Sequence, residues 1–306
     1  MPENENFWNF YWEIRLQELQ NLGKKEAVLV ASKLIRQLAT AADRPVRILE
    51  LGCGEGQIIG TLVEGHPQVR AIHESVGIDY NSRSIETCRR RFPAMRFVDG
   101  DFTRAEILNP LGQFELVMMV NALHEVFSDS YSQDIKEVDV PAAKANVLRA
   151  LSGAVEKLAV GGYFLLFDGL EMMGDIHRKV RIKFRSPQAR EHFLTFVREY
   201  HPFKITFREI DHPYRIELSQ RDFTRYITKS IFLGKELWRT ERLESYQYFN
   251  QSEFLVAIAK QGLTVIEQRT LTVDEEKWSR QVQIETRGVG FPEEHILIIA
   301  QKNKAS

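Results

Sequence analysis

The chain has 306 residues, 43 % of them hydrophobic, enough apolar side chain to bury a sizeable core in one large domain or two. With 41 basic and 42 acidic residues its formal charge is −1, so no overall field advertises DNA, RNA or a membrane surface. Two cysteines, no basic-then-apolar leader and no apolar run near the ~18 residues of a membrane span set the expectation of a cytoplasmic protein without disulfides.

Residues 1–44 are helical in pattern, with an aromatic cluster (Phe7, Trp8, Phe10, Tyr11, Trp12), then Ala27, Leu29, Val30, Leu34, Ile35 and Leu38 at helix-like spacing, and Gly23 placed to separate two helices. The aromatics suit either a plug on the domain surface or a lid over a cavity. From Pro45 short β runs alternate with helices, which predicts a parallel sheet joined by right-handed crossovers. Val46–Leu51 reads as a buried strand that runs into Gly52, Gly54 and Gly56, and Gln57 opens a helix. Ser75–Asp79 is a second short strand; Ser82 to Arg91 is a helix stopped before Pro93; Met95–Val98 is a third strand, ending in Asp99-Gly100-Asp101-Phe102. Phe114–Val120 is a fourth, running into Asn121-Ala122-Leu123-His124-Glu125. Pro141 opens a long helix to about Leu158, which Gly161-Gly162 closes, and Tyr163–Phe167 is a fifth strand, ending at Asp168.

The alternation then breaks. Residues 171–250 hold helical and charged segments, including HRKVRIKFR at 177–185, and two β-like pieces at 204–210 and 214–218. They read as an insertion. A helix over Gln251–Gln261 and strands at Leu263–Leu271 and His295–Ala300 resume the sheet. The expected organisation is an N-terminal helical segment (1–44), a nucleotide-type core (45–170), an inserted lid (171–250) and the C-terminal part of the core sheet (251–306).

In open α/β sheets ligands bind outside the carboxyl ends of the strands. Five successive strand ends here carry Glu50 with its glycine loop, Asp79, Asp99 and Asp101, Asn121 and His124, and Asp168. The loop spacing is G-x-G-x-G. That is neither the G-x-G-x-x-G of dinucleotide folds nor a P-loop, which would need G-K-[ST].

E-L-G-C-G-E-G after a hydrophobic strand resembles the first motif of the class I S-adenosylmethionine-dependent methyltransferases, and the resemblance extends over residues 45–170 and, more weakly, over the strands after 251. It implies a doubly wound, mostly parallel seven-stranded α/β sheet closed by an antiparallel strand at His295–Ala300, with S-adenosyl-L-methionine as cofactor. Carried over residue by residue, it implies that Gly52, Cys53, Gly54 and Gly56 wrap the methionine end with Glu50 supporting them. Asp79, followed by Tyr80, would hold the ribose hydroxyls, Asp101 beside Phe102 would meet adenine, and Asn121 would lie near the sulfonium. The HPQVRAIHESVG connection makes the step from the glycines to Asp79 longer than the family's usual one.

The [ND]-P-P-[FY] of many DNA and protein amino-methyltransferases is absent at Asn121–Glu125. L-H-E instead resembles the H-D or H-H of many small-molecule methyltransferases, including plant-type O-methyltransferases in which a histidine at this strand end acts as base, which makes His124 the candidate base; the alternative is a histidine that only braces the strand end. The expected function is methyl transfer to a small molecule, oxygen ahead of nitrogen or carbon, by a monomer or homodimer. An RNA or protein methyltransferase, supported only by the basic run Arg178, Lys179, Arg181, Lys183, Arg185, remains an alternative to a solvated helix face, as do an aminopropyltransferase and a non-catalytic cofactor-binding subunit. Trp238, Tyr246, Tyr248 and Phe249 suit either an acceptor pocket or simple packing. No His or Cys spacing suggests a metal site.

Overall fold

The computed structural model describes residues 22–41, 45–66, 69 and 72–303. Helix α1 (Leu22–Ala41) precedes β1 (Ile48–Leu51), α2 (Gln57–Gly65), β2 (Val76–Asp79), α3 (Ser82–Arg91), β3 (Arg96–Asp99), β4 (Phe114–Val120) and α4 (Leu123–Ser128). A small ribbon, β5 (Tyr131–Ser132) with β6 (Glu137–Val138), leads to α5 (Val140–Glu156) and the long strand β7 (Leu158–Gly169). Then come β8 (Lys179–Phe184), α6 (Pro187–Glu199), β9 (Phe207–Ile210), β10 (His212–Ser219), α7 (Gln220–Lys229) and α8 (Trp238–Glu241). Helix α9 (Gln251–Lys260), β11 (Leu263–Thr272), β12 (Val282–Ile284) and β13 (Glu293–Lys302) complete the chain. Among the described residues no helix is long and apolar enough to cross a membrane.

The main sheet has seven strands in the order β11-β13-β7-β4-β1-β2-β3. β1, β2, β3, β4 and β7 run parallel, and β13 is antiparallel to both its neighbours, as the resemblance implies. Strand order reverses between β1 and β4, which opens a crevice at their carboxyl ends. The sequence of β4 shows why this sheet is buried on both faces. Val117 and Met119 belong to the core under α5 and α9, whereas Leu116, Met118 and Val120 belong to the core under α1, α2 and α3. Successive side chains of a strand point to opposite faces, so an unbroken apolar run fills both layers.

A second, antiparallel sheet has the order β12-β8-β10-β9. The excursion that carries most of it leaves beside β7 and returns to the same place, where Glu171 and Asn250 form a parallel bridge. Two expectations are corrected here. The basic run at 177–185 is a strand and not a helix face: Val180, Ile182 and Phe184 are buried while Lys179, Arg181 and Lys183 are exposed, and that period of two outweighs the density of charge. The boundary at 250 is also crossed, because β12 pairs with β8 and so residues 282–284 join the second sheet.

One glycine assignment changes as well. Gly23 lies in the first turn of α1, and the segment before it, with the aromatic cluster at 7–12, lies outside the described residues. Gly161 and Gly162 do not cap α5, which ends at Glu156; they lie within β7, where a Cβ on Gly162 would stand 2.8 Å from the Glu115 carbonyl oxygen.

At the other end of β7, a Cβ on Gly169 would fall 2.7 Å from Tyr246 Cα and 2.8 Å from its carbonyl oxygen, so the strand end and the returning chain are in backbone contact. Gly169→Ala is therefore expected to cost about 1–3 kcal/mol by overpacking. A denaturant midpoint equal to that of the wild type would contradict this contact.

Candidate functional site

The crevice begins at the turn after β1. The N–H groups of Gly52 and Cys53 both donate to Ile78 O at 2.9 Å, which locks the turn against β2. Gly52, Gly54 and Gly56 have φ of 76°, 51° and 72°, the left-handed region that side chains disfavour. Their surroundings differ. A Cβ on Gly52 would meet Ala122 Cβ at 2.6 Å, and one on Gly56 would meet Cys88 Sγ at 3.0 Å, so both fit packing; one on Gly54 would enter open space. Gly56 is the N-cap of α2 and stands behind the crevice, not on its wall.

Three carboxylates at strand ends hold this geometry. Glu50 is buried, accepts the Ile59 N–H at 3.0 Å and so braces the start of α2; burial pushes its carboxyl up to about 8. Asp79 accepts from Gly54 N at 2.8 Å and from Asn81 N at 2.9 Å, joining the glycine loop to the cap of α3. Asp101 turns back on its own loop, accepting the Thr103 N–H at 2.8 Å and hydroxyl at 2.6 Å, with Arg104 Nε at 3.4 Å.

These residues line two neighbouring cavities. The larger, of about 580 Å³, is bounded by Glu50, Gly52, Cys53, Gly54, Asp79, Asn121 and His124 on the core side. Its far wall, which sequence reasoning only touched through Tyr246, comes from the excursion: Phe232, Leu237, Thr240, Glu241, Glu244 and Tyr246. Asp101 and Phe102 lie in a second cavity of about 480 Å³. Tyr80 and Glu125 border both. Of the aromatic set, Tyr246 alone reaches the cavity; Trp238, Tyr248 and Phe249 are core.

Asn121 has φ of 53°, donates its N–H to Phe167 O at 2.7 Å, and leaves its side-chain Oδ1 without a partner among the described residues, on the wall of the larger cavity. The chain then turns into α4, whose start is anchored on Asp168. That carboxylate, fully buried, accepts the N–H groups of Ala122 at 2.9 Å, Leu123 at 2.8 Å and Gly169 at 2.7 Å. It also takes His124 Nδ1 at 2.9 Å.

Of the two readings of His124, this environment favours the brace over the base. The ring is 3 % exposed, with Nδ1 on Asp168 and Nε2 3.4 Å from Glu244 Oε2. Burial opposes its charge, but the two carboxylates overcome that and push it up to about 10. An imidazolium with Nδ1 bonded to Asp168 and Nε2 facing Glu244 has no lone pair with which to take a proton. Beyond it the ladder continues: Lys229 Nζ, fully buried, lies 3.5 Å from Glu244 and 2.5 Å from Glu241, and 3.9 Å from the centre of the Tyr246 ring. The Tyr246 hydroxyl donates to Glu241 at 3.2 Å. Glu241, Glu244 and Lys229 escaped the sequence reading, which marked Asp168 as a polar strand end without its partners, because each gains its meaning from residues brought to it by the fold.

The donor set fits a ligand with an ammonium, a carboxylate and a ribose. The open space at Gly54 admits a close approach to backbone, Asp79 keeps acceptor capacity on both oxygens, and the Asn121 oxygen is unpartnered. Residues 48–140 match the family model of a methyltransferase domain. No curated protein matches the chain. Among solved structures, the chain is similar to an O-methyltransferase family protein from Burkholderia thailandensis (11 % identity, 92 % of this chain, TM-score 0.44), of which it spans 59 %. It is also similar to a putative methyltransferase from Bacillus halodurans (13 % identity, 89 % of this chain and 99 % of that one, TM-score 0.46). A third is an amino pentose methyltransferase from Micromonospora echinaspora, bound to S-adenosylmethionine (14 % identity, 95 % and 96 %, TM-score 0.41).

The raised histidine carries a pH prediction. Its pairing contributes stability that is complete below an unfolded value of about 6.5 and is lost as pH rises through about 10. Glu50 and Glu125, both pushed up to about 8, act in the same direction lower in the range. His124→Gln is expected to lower the urea midpoint near neutral pH and to flatten its fall above about pH 8. A variant whose midpoint falls as steeply as that of the wild type would refute the charged state.

Proposed function

We propose that this chain, whose residues 48–140 match the family model of a methyltransferase domain, transfers the methyl group of S-adenosylmethionine to a small-molecule acceptor held between the strand ends and the excursion. The observation that carries this reading is the closure of the wall at 232–246 over the same cavity that the glycine loop and Asp79 line. In this reading Glu50 and the loop Gly52–Gly54 take the methionine end of the cofactor, Asp79 its ribose, and Asp101 with Phe102 its adenine across the ridge of Tyr80 and Glu125. Asn121 faces the sulfonium region. When bound, S-adenosylmethionine supplies an electrophilic methyl carbon on a sulfonium. The protein's part is to orient the acceptor in line and exclude water, which in intramolecular models is worth a large share of the barrier.

A preference for oxygen over nitrogen or carbon was motivated by a neutral His124, and an imidazolium withdraws that motive. An RNA acceptor also loses support. On the outer face of the second sheet Arg181 and Arg208 both pair with Glu217, at 3.0 and 2.8 Å, and Arg215 pairs with Glu285 at 3.1 Å, so much of its positive charge is already committed.

S-Adenosylhomocysteine binding the native state only should raise the melting temperature; at a hundredfold excess over Kd the stabilisation is about 2.7 kcal/mol. Asp79→Ala is expected to remove most of that shift. No shift at millimolar ligand, or an equal shift in the variant, would overturn the placement of the cofactor. Transfer of a labelled methyl group into a fractionated small-molecule extract, with none into RNA, tests the acceptor class.

A further inference from the structure

Acid outnumbers base on the wall that faces the glycine loop. Among the described residues that line it, Glu125, Glu241 and Glu244 supply three carboxylates and His124 a cation, while Asp168 and Lys229, both fully buried, stand behind them. Both cations are already committed, His124 between Asp168 and Glu244 and Lys229 between Glu244 and Glu241. Lys24, the other cation at this cavity, sits at the loop end, with Nζ 3.4 Å from Gln57 Oε1. Glu125 has no ion-pair partner among the described residues, although it borders both cavities. Burial pushes its carboxyl up to about 8, against the pull of the nearby His124 charge and with reinforcement from Glu244, Asp79 and Asp168. A proton on Glu125 thus stands in for a positive charge that the protein does not supply. Beside it the ring of Tyr80 is 61 % exposed, and Phe232 and Leu237 add an apolar stretch to the same cavity.

We propose that the methyl acceptor is an organic cation on an apolar body, whose protonated amine is a binding handle held at Glu125 and Glu244 with the Tyr80 ring beside it, the methyl group going to another atom of the acceptor that keeps a lone pair. An anionic acceptor would meet like charge on this wall and a neutral one would leave the proton on Glu125, whereas an ammonium can take that proton's place. An ammonium group at an aromatic face and a carboxylate gains from both. His124 and Lys229 are positioning residues here. By gripping Glu244 from two sides they fix the carboxylate edge toward the cavity and remain too occupied to neutralise it further. The inference rests on the reading of this cavity as the acceptor side of a methyltransferase.

The test uses the whole chain saturated with S-adenosylhomocysteine and three probes matched in size: phenethylamine, 2-phenylethanol and 3-phenylpropionate. The amine is expected to raise the melting temperature by a further 2 °C or so, and the alcohol and the acid by less than half of that. Glu125→Gln, which breaks no ion pair among the described residues, is expected to lose at least half of the amine's shift, read in each protein against its own melting temperature with S-adenosylhomocysteine bound. An equal or larger shift with the acid or the alcohol overturns the proposal, as does an amine shift that is absent or that survives in Glu125→Gln. Failure of S-adenosylhomocysteine itself to shift the wild type is a different result, and condemns the cofactor reading beneath the proposal.

Discussion

The buried carboxylate of Asp168 is the point on which the reactive end of this molecule depends. It stands at the carboxyl end of β7 and gathers the backbone N–H groups of Ala122 and Leu123 across the sheet, so the first turn of α4 starts where β4 ends. A lone charge so deep would be costly; here three short backbone hydrogen bonds and the His124 imidazolium satisfy it. Those contacts hold its carboxyl below the usual range in spite of burial, which favours the proton. Removing one partner of such a buried pair costs about 3–5 kcal/mol, because the other is left uncompensated.

From Asp168 the charges alternate outward through His124, Glu244, Lys229 and Glu241. The first two members belong to the core sheet and its crossover, and the last three to the excursion that leaves beside β7 and returns at Asn250. The same series of contacts therefore does two things. It fastens the far wall of the cavity to the strand ends, together with the backbone contact at Gly169, and it leaves that wall rich in carboxylate. Fold and site share one set of interactions, so a change at Lys229 or Glu244 alters both.

The sheet was legible in the sequence because a parallel strand buried on two faces must be apolar at every position, as β4 is, and because glycines and acids mark its carboxyl end. The loop at Gly52–Gly54 and Asp79 could be placed for the same local reason. The charged ladder could not: His124 and Asp168 are 44 residues apart, and nothing in either neighbourhood announces the other. Read alone, a histidine at a strand end resembles a base; only its two carboxylate partners convert it into a fixed cation. Strand β8 was obscured by its own composition, since its three basic side chains share one face while Val180, Ile182 and Phe184 carry the core. Glu50 and Glu125 look alike in sequence, yet one braces a helix start and the other borders the cavity with no ion-pair partner among the described residues.

The state of His124 is the most exposed part of this account, since it removes a base, anchors the wall and helps to set the charge of the cavity. Nitrogen-15 NMR of the labelled imidazole reads that state directly. The account predicts that both ring nitrogens carry protons at neutral pH and that the ring titrates near pH 10. A neutral tautomer at neutral pH, titrating near the ordinary histidine value of about 6.5, would contradict it.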